Sequence, residues 1–149
     1  MNDRVVEEPR GELLLSTDRA RLDLDAILAM LHVSHWGGAV TRAILERAVA
    51  NSVCVGVYRG DEQLAFARVV TDLATYAYLT DVIVAADARG QGLGTWMIES
   101  VLAHPDLQGF RRVTLFTRDA RPLYEKLGFS TEMPASTYME MRPGPNRQT

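Results

Sequence analysis

The sequence predicts a single α/β domain in which helices flank a central β-sheet. Three observations support this fold class. Apolar residues switch repeatedly between strand and helix periodicity, a glycine-rich turn joins a strand-like run to a helix-like run, and 149 residues are enough for one domain with its own core. The expected order is strand, helix, helix, three strands, helix, strand, helix and strand over about residues 12–142. The domain spans residues 1–149, and we expect its tails, about 1–10 and 143–149, to be disordered.

The first third of the chain predicts one strand and two helices. The run ELLLST is short and apolar, as expected of a strand. The next run has apolar residues at helical spacing, at Leu24, Ile27, Leu28 and Leu31. Thr41 is a candidate N-cap for a second helix. The apolar face of that helix consists of Ile44, Leu45, Ala48 and Val49.

The middle third predicts three strands. Two β-rich runs flank the dipeptide Gly60-Asp61, which is a turn signal typical of a β-hairpin. A third strand follows in the run TYAYLTDVIV. Cys54 is the single cysteine of the sequence, which excludes an internal disulfide and a multi-cysteine metal site. We expect Cys54 to be a small buried apolar side chain.

The last third predicts two helices and two strands. The run LGTWMIESVLAH has one apolar helical face, made of Leu93, Trp96, Met97, Val101 and Leu102. Pro105 follows the end of this helix. RRVTLFT predicts a strand, DARPLYEKLGF a helix and TYMEM a closing strand. In the last helix Asp119 is a candidate cap, Pro122 falls in the first turn, and Gly128 is placed to end it.

The composition is that of an ordinary globular protein, with 47% hydrophobic residues, 23% charged residues and a formal net charge of -3. This charge gives no support to nucleic-acid binding. No apolar run approaches the ~20 residues of a membrane span, and the start MNDRVVEEPRGE lacks the apolar segment of a signal peptide. We therefore expect a cytoplasmic protein that contacts neither nucleic acid nor membrane. Monomer and homodimer both stay open.

The stretch DARGQGLGTWM holds three glycines between a predicted strand and a predicted helix. Glycine has no Cβ, so backbone N–H groups of such a turn can approach an anion at the positive end of the helix dipole. The dinucleotide-binding motif does not fit because it needs glycine at Thr95, and the P-loop motif lacks its Gly-Lys pair. Phosphate binding and a purely structural turn are equally consistent with the loop alone.

Arg89, Gly92 and Gly94 resemble the pyrophosphate-binding signature of the GNAT superfamily of N-acetyltransferases: Arg or Gln, two residues, Gly, one residue, then Gly or Ala. Further along the chain, ARPLYEKLGF is similar to the family's second motif, with Tyr124 four positions before Gly-Phe. The order of elements also matches over about residues 12–142. The resemblance implies a mixed, mostly antiparallel sheet flanked by helices. One departure is Thr117, where the family often has an asparagine.

The resemblance also implies acetyl-CoA as the cofactor, with its pantetheine arm between the strand before the loop and the strand after the helix. The N–H of Val82 would polarise the thioester carbonyl, as oxyanion-hole donors do. The loop amides from Gln91 to Thr95 would hold the pyrophosphate. The residues expected to bind the cofactor are Val82, Ile83, Val84, Arg89, Gly90, Gln91, Gly92, Leu93, Gly94, Thr95 and Thr117.

The reaction implied is attack of an amine on the thioester. A free alkyl amine has a pKa near ~10.4, so the acceptor must lose a proton, and the departing thiolate needs a proton donor. Tyr124 is the candidate donor at the sulfur, and the alternative is a tyrosine that only packs its ring. We expect it at the margin of the apolar face of its helix.

Asp81 is the candidate base, because it interrupts an otherwise apolar strand and carboxylates are rarely buried without a partner. LTDVIV is similar to LEDFFV of the spermidine/spermine acetyltransferases, where this acid faces the acceptor amine, although Thr80 replaces the first acid. A structural carboxylate bonded to a helix N-terminus or an arginine is equally consistent. Tyr78 stands where histone-type relatives carry a glutamate base, and a base acting through ordered water is a further alternative.

The residues expected to contact the acceptor are Trp36, Tyr76, Tyr78 and Asp81. Trp36 beside two glycines suits a cation or an apolar amine, or else covers the edge of the core. His32 and His35 have helical spacing but no evident third ligand, so no metal site is predicted. The leading hypothesis is an acetyl-CoA-dependent N-acetyltransferase acting on a primary amine of a small molecule or peptide by direct attack. A non-catalytic acyl-CoA-binding module and a nucleotide-phosphate protein are the alternatives.

Overall fold

The computed structural model describes residues 1–34, 39–132 and 137–142, and its centre is a six-stranded sheet with the strands in chain order. The strands are β1 (Glu7–Arg10), β2 (Leu13–Ser16), β3 (Val53–Arg59), β4 (Glu62–Thr71), β5 (Tyr76–Val84) and β6 (Arg112–Leu115). Neighbouring strands are antiparallel except for β5 and β6, which are parallel. This mixed, mostly antiparallel sheet with flanking helices confirms the predicted fold class.

The helices are α1 (Leu24–His32), α2 (Arg42–Ala50), α3 (Leu93–Ala103) and α4 (Arg121–Lys126). The hydroxyl of Thr41 caps α2 as predicted, by accepting a hydrogen bond from the N–H of Ile44. Such a cap contributes about 1 kcal/mol. The predicted cap of α4 was wrong. The oxygen that accepts from the N–H of Ala120 is that of Thr117, at 3.0 Å, and not that of Asp119.

The core consists of two layers, one on each face of the sheet. Alternate residues of a strand point to opposite faces, so Val55 packs against α3 while Cys54 packs against α1 and α2. Phe66 is the largest fully buried side chain and belongs to the α1–α2 layer. The predicted hairpin is confirmed, since Arg59 pairs with Glu62 across the turn at residues 60–61.

The N-terminal segment differs from the prediction, because residues 7–10 form β1 where a disordered tail was expected. β1 pairs with β2 and is also held by α3. The indole Nε1 of Trp96 donates to the Glu8 carboxylate at 2.9 Å, and the guanidinium of Arg10 lies 4.1 Å from the centre of the Trp96 ring. These long-range contacts explain why local composition did not reveal the strand.

The predicted closing strand is not formed in the described residues 137–142. Tyr138 instead packs its ring edge-to-face against Phe116, with centroids 5.8 Å apart. A strand requires backbone bonds to a neighbour, and the alternating pattern of TYMEM cannot supply them alone. In the described part of the chain, the helices are too short or too polar to cross a membrane.

Candidate functional site

The glycine-rich loop lines a cavity of about 220 Å³ between the end of β5 and the start of α3. Gly90 and Gly92 have φ values of +80° and +74°, a left-handed conformation that glycine adopts without steric penalty. A Cβ placed on Gly90, Gly92 or Gly94 would meet no other atom within 4 Å. The loop thus leaves open space where side chains would otherwise project.

The start of α3 presents free hydrogen-bond donors to this cavity. Gly92 is the N-cap and has no side chain to accept a bond, and the first helical bond runs from the N–H of Trp96 to the carbonyl of Gly92, at 3.0 Å. The N–H groups of Leu93, Gly94 and Thr95 therefore lack an intrahelical acceptor, and all three residues line the cavity. Amide donors at the positive end of a helix dipole fit a phosphate group. The diphosphate of coenzyme A meets this requirement.

Strand β5 extends past the end of β6 on the way to the loop. They pair from Tyr76 opposite Arg112 as far as Leu79 opposite Leu115. β5 then continues to Val84 while β6 ends, so residues 80–84 have no strand partner on that side within the described residues. This is the stretch of β5 beside which the resemblance implies that the pantetheine arm lies, and that placement stays a prediction.

A second cavity, of about 1240 Å³, lies along β6. It is lined by four of the predicted site residues: Tyr76, Tyr78, Thr117 and Tyr124. The hydroxyls of Tyr76 and Thr114 are hydrogen-bonded at 2.6 Å. The Tyr78 ring packs edge-to-face on Phe116, which in turn contacts Tyr138, with centroid distances of 5.9 and 5.8 Å. One wall of this cavity is therefore a row of three aromatic rings.

Tyr124 is the one buried residue of α4, and its exposed fraction is 9%. This corrects the prediction that it lies at the margin of the helix. The chain turns back after α4, and Phe129 packs against the tyrosine ring with centroids 5.8 Å apart. Burial raises the pKa of Tyr124, and the Asp119 carboxylate raises it further. The hydroxyl is protonated at neutral pH and makes no hydrogen bond within the described part of the chain.

Asp81 is bonded to an arginine. Its carboxylate accepts a hydrogen bond from Nε of Arg68 at 2.8 Å, and the two side chains are 15% and 17% exposed. Nη1 of Arg68 also donates to the hydroxyl of Ser52 at 3.1 Å. This is the arrangement expected of a structural carboxylate, the alternative to a base. Contact of Asp81 with an acceptor stays a prediction.

The other predicted residues divide between the two cavities and the core. Those that line the smaller cavity are Val84, Arg89, Gly90, Gly92, Leu93, Gly94 and Thr95. Val82, Ile83 and Gln91 line neither cavity, and Ile83 is buried against the α1–α2 layer. Trp36 lies outside the described residues. Leu123 of α4 lines the smaller cavity and its neighbour Tyr124 the larger one, so α4 borders both.

Two residues of this region, Arg68 and Phe116, were not predicted from the sequence. Arg68 interrupts the apolar run LAFARVV just as Asp81 interrupts its own strand. Two opposite charges in neighbouring apolar strands could have predicted this ion pair. Phe116 is 69% exposed and contacts the ring of Tyr78. Its position at the end of a predicted strand does not indicate this exposure or this contact. Across the ranges that the structure describes, no group of three or more His, Cys, Asp or Glu could hold a metal ion.

Residues 50–131 match the sequence profile of the acetyltransferase (GNAT) domain. A Gibberella zeae protein described as an acetyltransferase is 35% identical, and the match covers 78% of this chain and 78% of that protein. A crystal structure of a Xanthomonas campestris protein assigned to the GNAT family is 39% identical, with a TM-score of 0.86 over 95% of this chain and 98% of that one.

A Clostridium acetobutylicum protein described as an acetyltransferase and solved with acetyl-CoA has the same fold at 14% identity, with a TM-score of 0.61 over 81% of this chain and 92% of that one. The profile covers more than half of the chain, and its matched range contains the glycine loop, strands β5 and β6, and α4. The chain therefore belongs to the GNAT family of acetyltransferases.

Proposed function

We propose that this protein transfers the acetyl group of acetyl-CoA to a primary amine of a small molecule or peptide, by direct attack of the amine nitrogen. One observation carries the proposal. Helix α4 borders both a glycine loop with free amide donors and a cavity that contains the buried, protonated hydroxyl of Tyr124. Family membership supports the donor, because GNAT acetyltransferases use acetyl-CoA.

The cofactor would be held by backbone groups more than by side chains. We assign the diphosphate to the N–H groups between Gln91 and Thr95, where α3 supplies unpaired donors. The N–H of Ala85 bonds to the carbonyl of Leu64 on β4 at 2.8 Å. Successive N–H groups of a strand alternate in direction, so we infer that those of Val84 and Val82 point away from β4, toward the β6 side. They are our candidates for bonds to the pantetheine arm and the thioester carbonyl.

Acetyl-CoA, when bound, supplies the acetyl group as an activated thioester. As the C–N bond forms and the C–S bond breaks, Tyr124 would give its hydroxyl proton to the leaving sulfur. Its raised pKa keeps this proton available at neutral pH. The amine nitrogen must also give up a proton, and the candidate acceptors are Asp81 and an ordered water.

The acceptor would lie against the aromatic wall of the larger cavity, near Tyr76 and Tyr78. Aromatic faces bind cationic and apolar groups alike, which suits an amine carried on an apolar or aromatic body. Trp36 stays a predicted contact of this acceptor.

The proposal is tested by measuring coenzyme A release from acetyl-CoA with a panel of acceptors: an alkyl amine, an aryl-alkyl amine, an amino sugar and a peptide with a free N-terminus. We expect release that saturates with at least one amine and matches the amount of acetylated product found by mass spectrometry. Calorimetry on the same preparation reports binding. Folded protein that binds acetyl-CoA yet releases no coenzyme A with any amine would contradict transfer and leave a binding module.

A further inference from the structure

Strand β5 contains an irregularity at Asp81. Phe66 of β4 pairs with Ile83 and Arg68 pairs with Thr80, so one residue of β4 lies opposite two of β5, Asp81 and Val82. The φ of Asp81 is +53°, in the left-handed region. This is a β-bulge, in which an extra residue re-aims the strand that carries it.

The bulge changes which side chains face each layer of the core. Leu79 and Val82 are three residues apart, yet both pack against the α3 layer, while Ile83 packs against the α1–α2 layer. A regular strand would place Leu79 and Ile83 on the same face. The bulge is thus what turns the side chains of Val82 and Val84 to the α3 layer and resets the backbone beyond Asp81.

Asp81, the residue at the bulge, has only a weak intrinsic preference for left-handed backbone. Left-handed backbone costs most non-glycine residues a factor of roughly 5 to 30 in population, and aspartate is tolerated there because its side chain can bond locally. In this protein the Asp81 carboxylate is instead bonded across the strand pair to Nε of Arg68, 2.8 Å away. Arg68 is itself tied to Ser52, which is 2% exposed.

We propose that Arg68 is a positioning residue for acetyl transfer: through its ion pair with Asp81 it holds the bulge that aims the backbone of Val82 at the thioester. Of the two candidate acceptors of the amine proton, this leaves the ordered water, and Asp81 acts through its backbone conformation. This inference rests on the proposed function, because the backbone it positions is the one assigned to the cofactor. Arg68 lines neither cavity, so its effect on turnover would be indirect.

Three substitutions at Asp81 separate positioning from base catalysis. Asp81→Asn keeps a side-chain oxygen that can accept a hydrogen bond, and asparagine also tolerates left-handed backbone. Asp81→Gly loses the oxygen but still adopts left-handed backbone. Asp81→Ala loses the oxygen and disfavours left-handed backbone. We expect kcat losses below about tenfold for Asn and Gly, and a kcat for Ala roughly 5 to 30 times lower than for Gly. The Kd for acetyl-CoA should stay constant, since the glycine loop is untouched. Equal losses of about 10² or more in all three variants would identify a base and overturn the proposal.

Arg68→Met gives an independent test, because it removes the guanidinium while keeping an unbranched stem. It should lower kcat in the wild-type background and have no further effect on Asp81→Gly, since glycine leaves no carboxylate to hold. Arg59→Met is the matched control, as Arg59 ends β3 of the same sheet and forms an exposed ion pair with Glu12 of the β1–β2 turn, and it should leave kcat unchanged. An Arg68→Met variant with a lower Tm but normal kcat would show that the pair serves stability alone.

Backbone NMR makes the test independent of turnover. In ¹H–¹⁵N spectra, Arg68→Met should shift the amide resonances of residues 82–84, and Asp81→Ala should shift those of residues 83 and 84 further than Asp81→Gly does. Wild-type resonances in Arg68→Met would overturn the proposal even if no acceptor amine were found. Failure of the proposed function is recognised separately, as wild-type protein that binds acetyl-CoA without amine-dependent release of coenzyme A.

Discussion

Substitution of Gly92 by alanine should weaken acetyl-CoA binding in addition to lowering the stability of the fold. Gly92 has a φ of +74°, and a Cβ there would clash with no protein atom. The free energy of unfolding should therefore fall only by the cost of holding an alanine in the left-handed region, about 1–2 kcal/mol. The new methyl group would project where the diphosphate is expected to lie, and loss of one hydrogen bond to a charged group costs about 1.5–3 kcal/mol.

Gly109 provides a matched control. Its φ is +75°, its Cβ position is equally open, and it lines neither cavity. Urea unfolding should show similar losses of stability for Gly92→Ala and Gly109→Ala. Calorimetry with acetyl-CoA and with coenzyme A should show Kd raised roughly 10- to 150-fold in Gly92→Ala only. Equal affinity in the two variants would refute the assignment of the loop to the diphosphate.

Two further predictions concern titratable groups. Burial raises the pKa of the Cys54 thiol to about 12. The thiol should therefore not react with a disulfide reagent at pH 8 until the protein is unfolded. Rapid reaction of the native protein would contradict the buried placement. Hydrogen bonds from the hydroxyl and N–H of Thr75 lower the pKa of Asp72. The turn at residues 72–76 should therefore be intact above pH ~3.9, the ordinary pKa of an aspartate. It should lose these bonds as the pH falls through the lowered pKa. A carboxyl ¹³C titration of Asp72 with an ordinary midpoint would count against this turn geometry.

Much of the fold followed from local signals in the sequence. The helical spacing at Leu24, Ile27 and Leu31 needed no tertiary information, and neither did the cap at Thr41 or the turn at Gly60. The position of the glycine loop between a strand and a helix could also be predicted, because its conformation depends on residues that are adjacent in the chain. These features could be predicted because the interactions that fix them span four residues or fewer.

The features that could not be predicted depend on distant partners. β1 is a strand because β2 and Trp96 bind it, and its own sequence, EEPR, has no strand pattern. Asp81 was visible as an anomaly, but the choice between a base and a structural carboxylate depended on Arg68, thirteen residues away. Tyr124 is buried because it joins the core layer of α3 and because Phe129 folds back onto it after a short helix. Each of these outcomes is set by packing that local periodicity does not encode.

The turnover of Tyr124→Phe measures how much acetyl transfer depends on the tyrosine hydroxyl, because the variant removes one oxygen atom from a buried ring and leaves the glycine loop intact. With the best amine from the panel, we predict that kcat falls by roughly 10² to 10⁴, the range for loss of a general acid, while the Kd for acetyl-CoA changes little. The loss should persist across the neutral pH range, where the wild-type hydroxyl stays protonated because its pKa is raised by burial. An unchanged kcat in a variant of normal stability would contradict the account, since it would assign the tyrosine to packing and leave the leaving thiolate without its proposed proton donor.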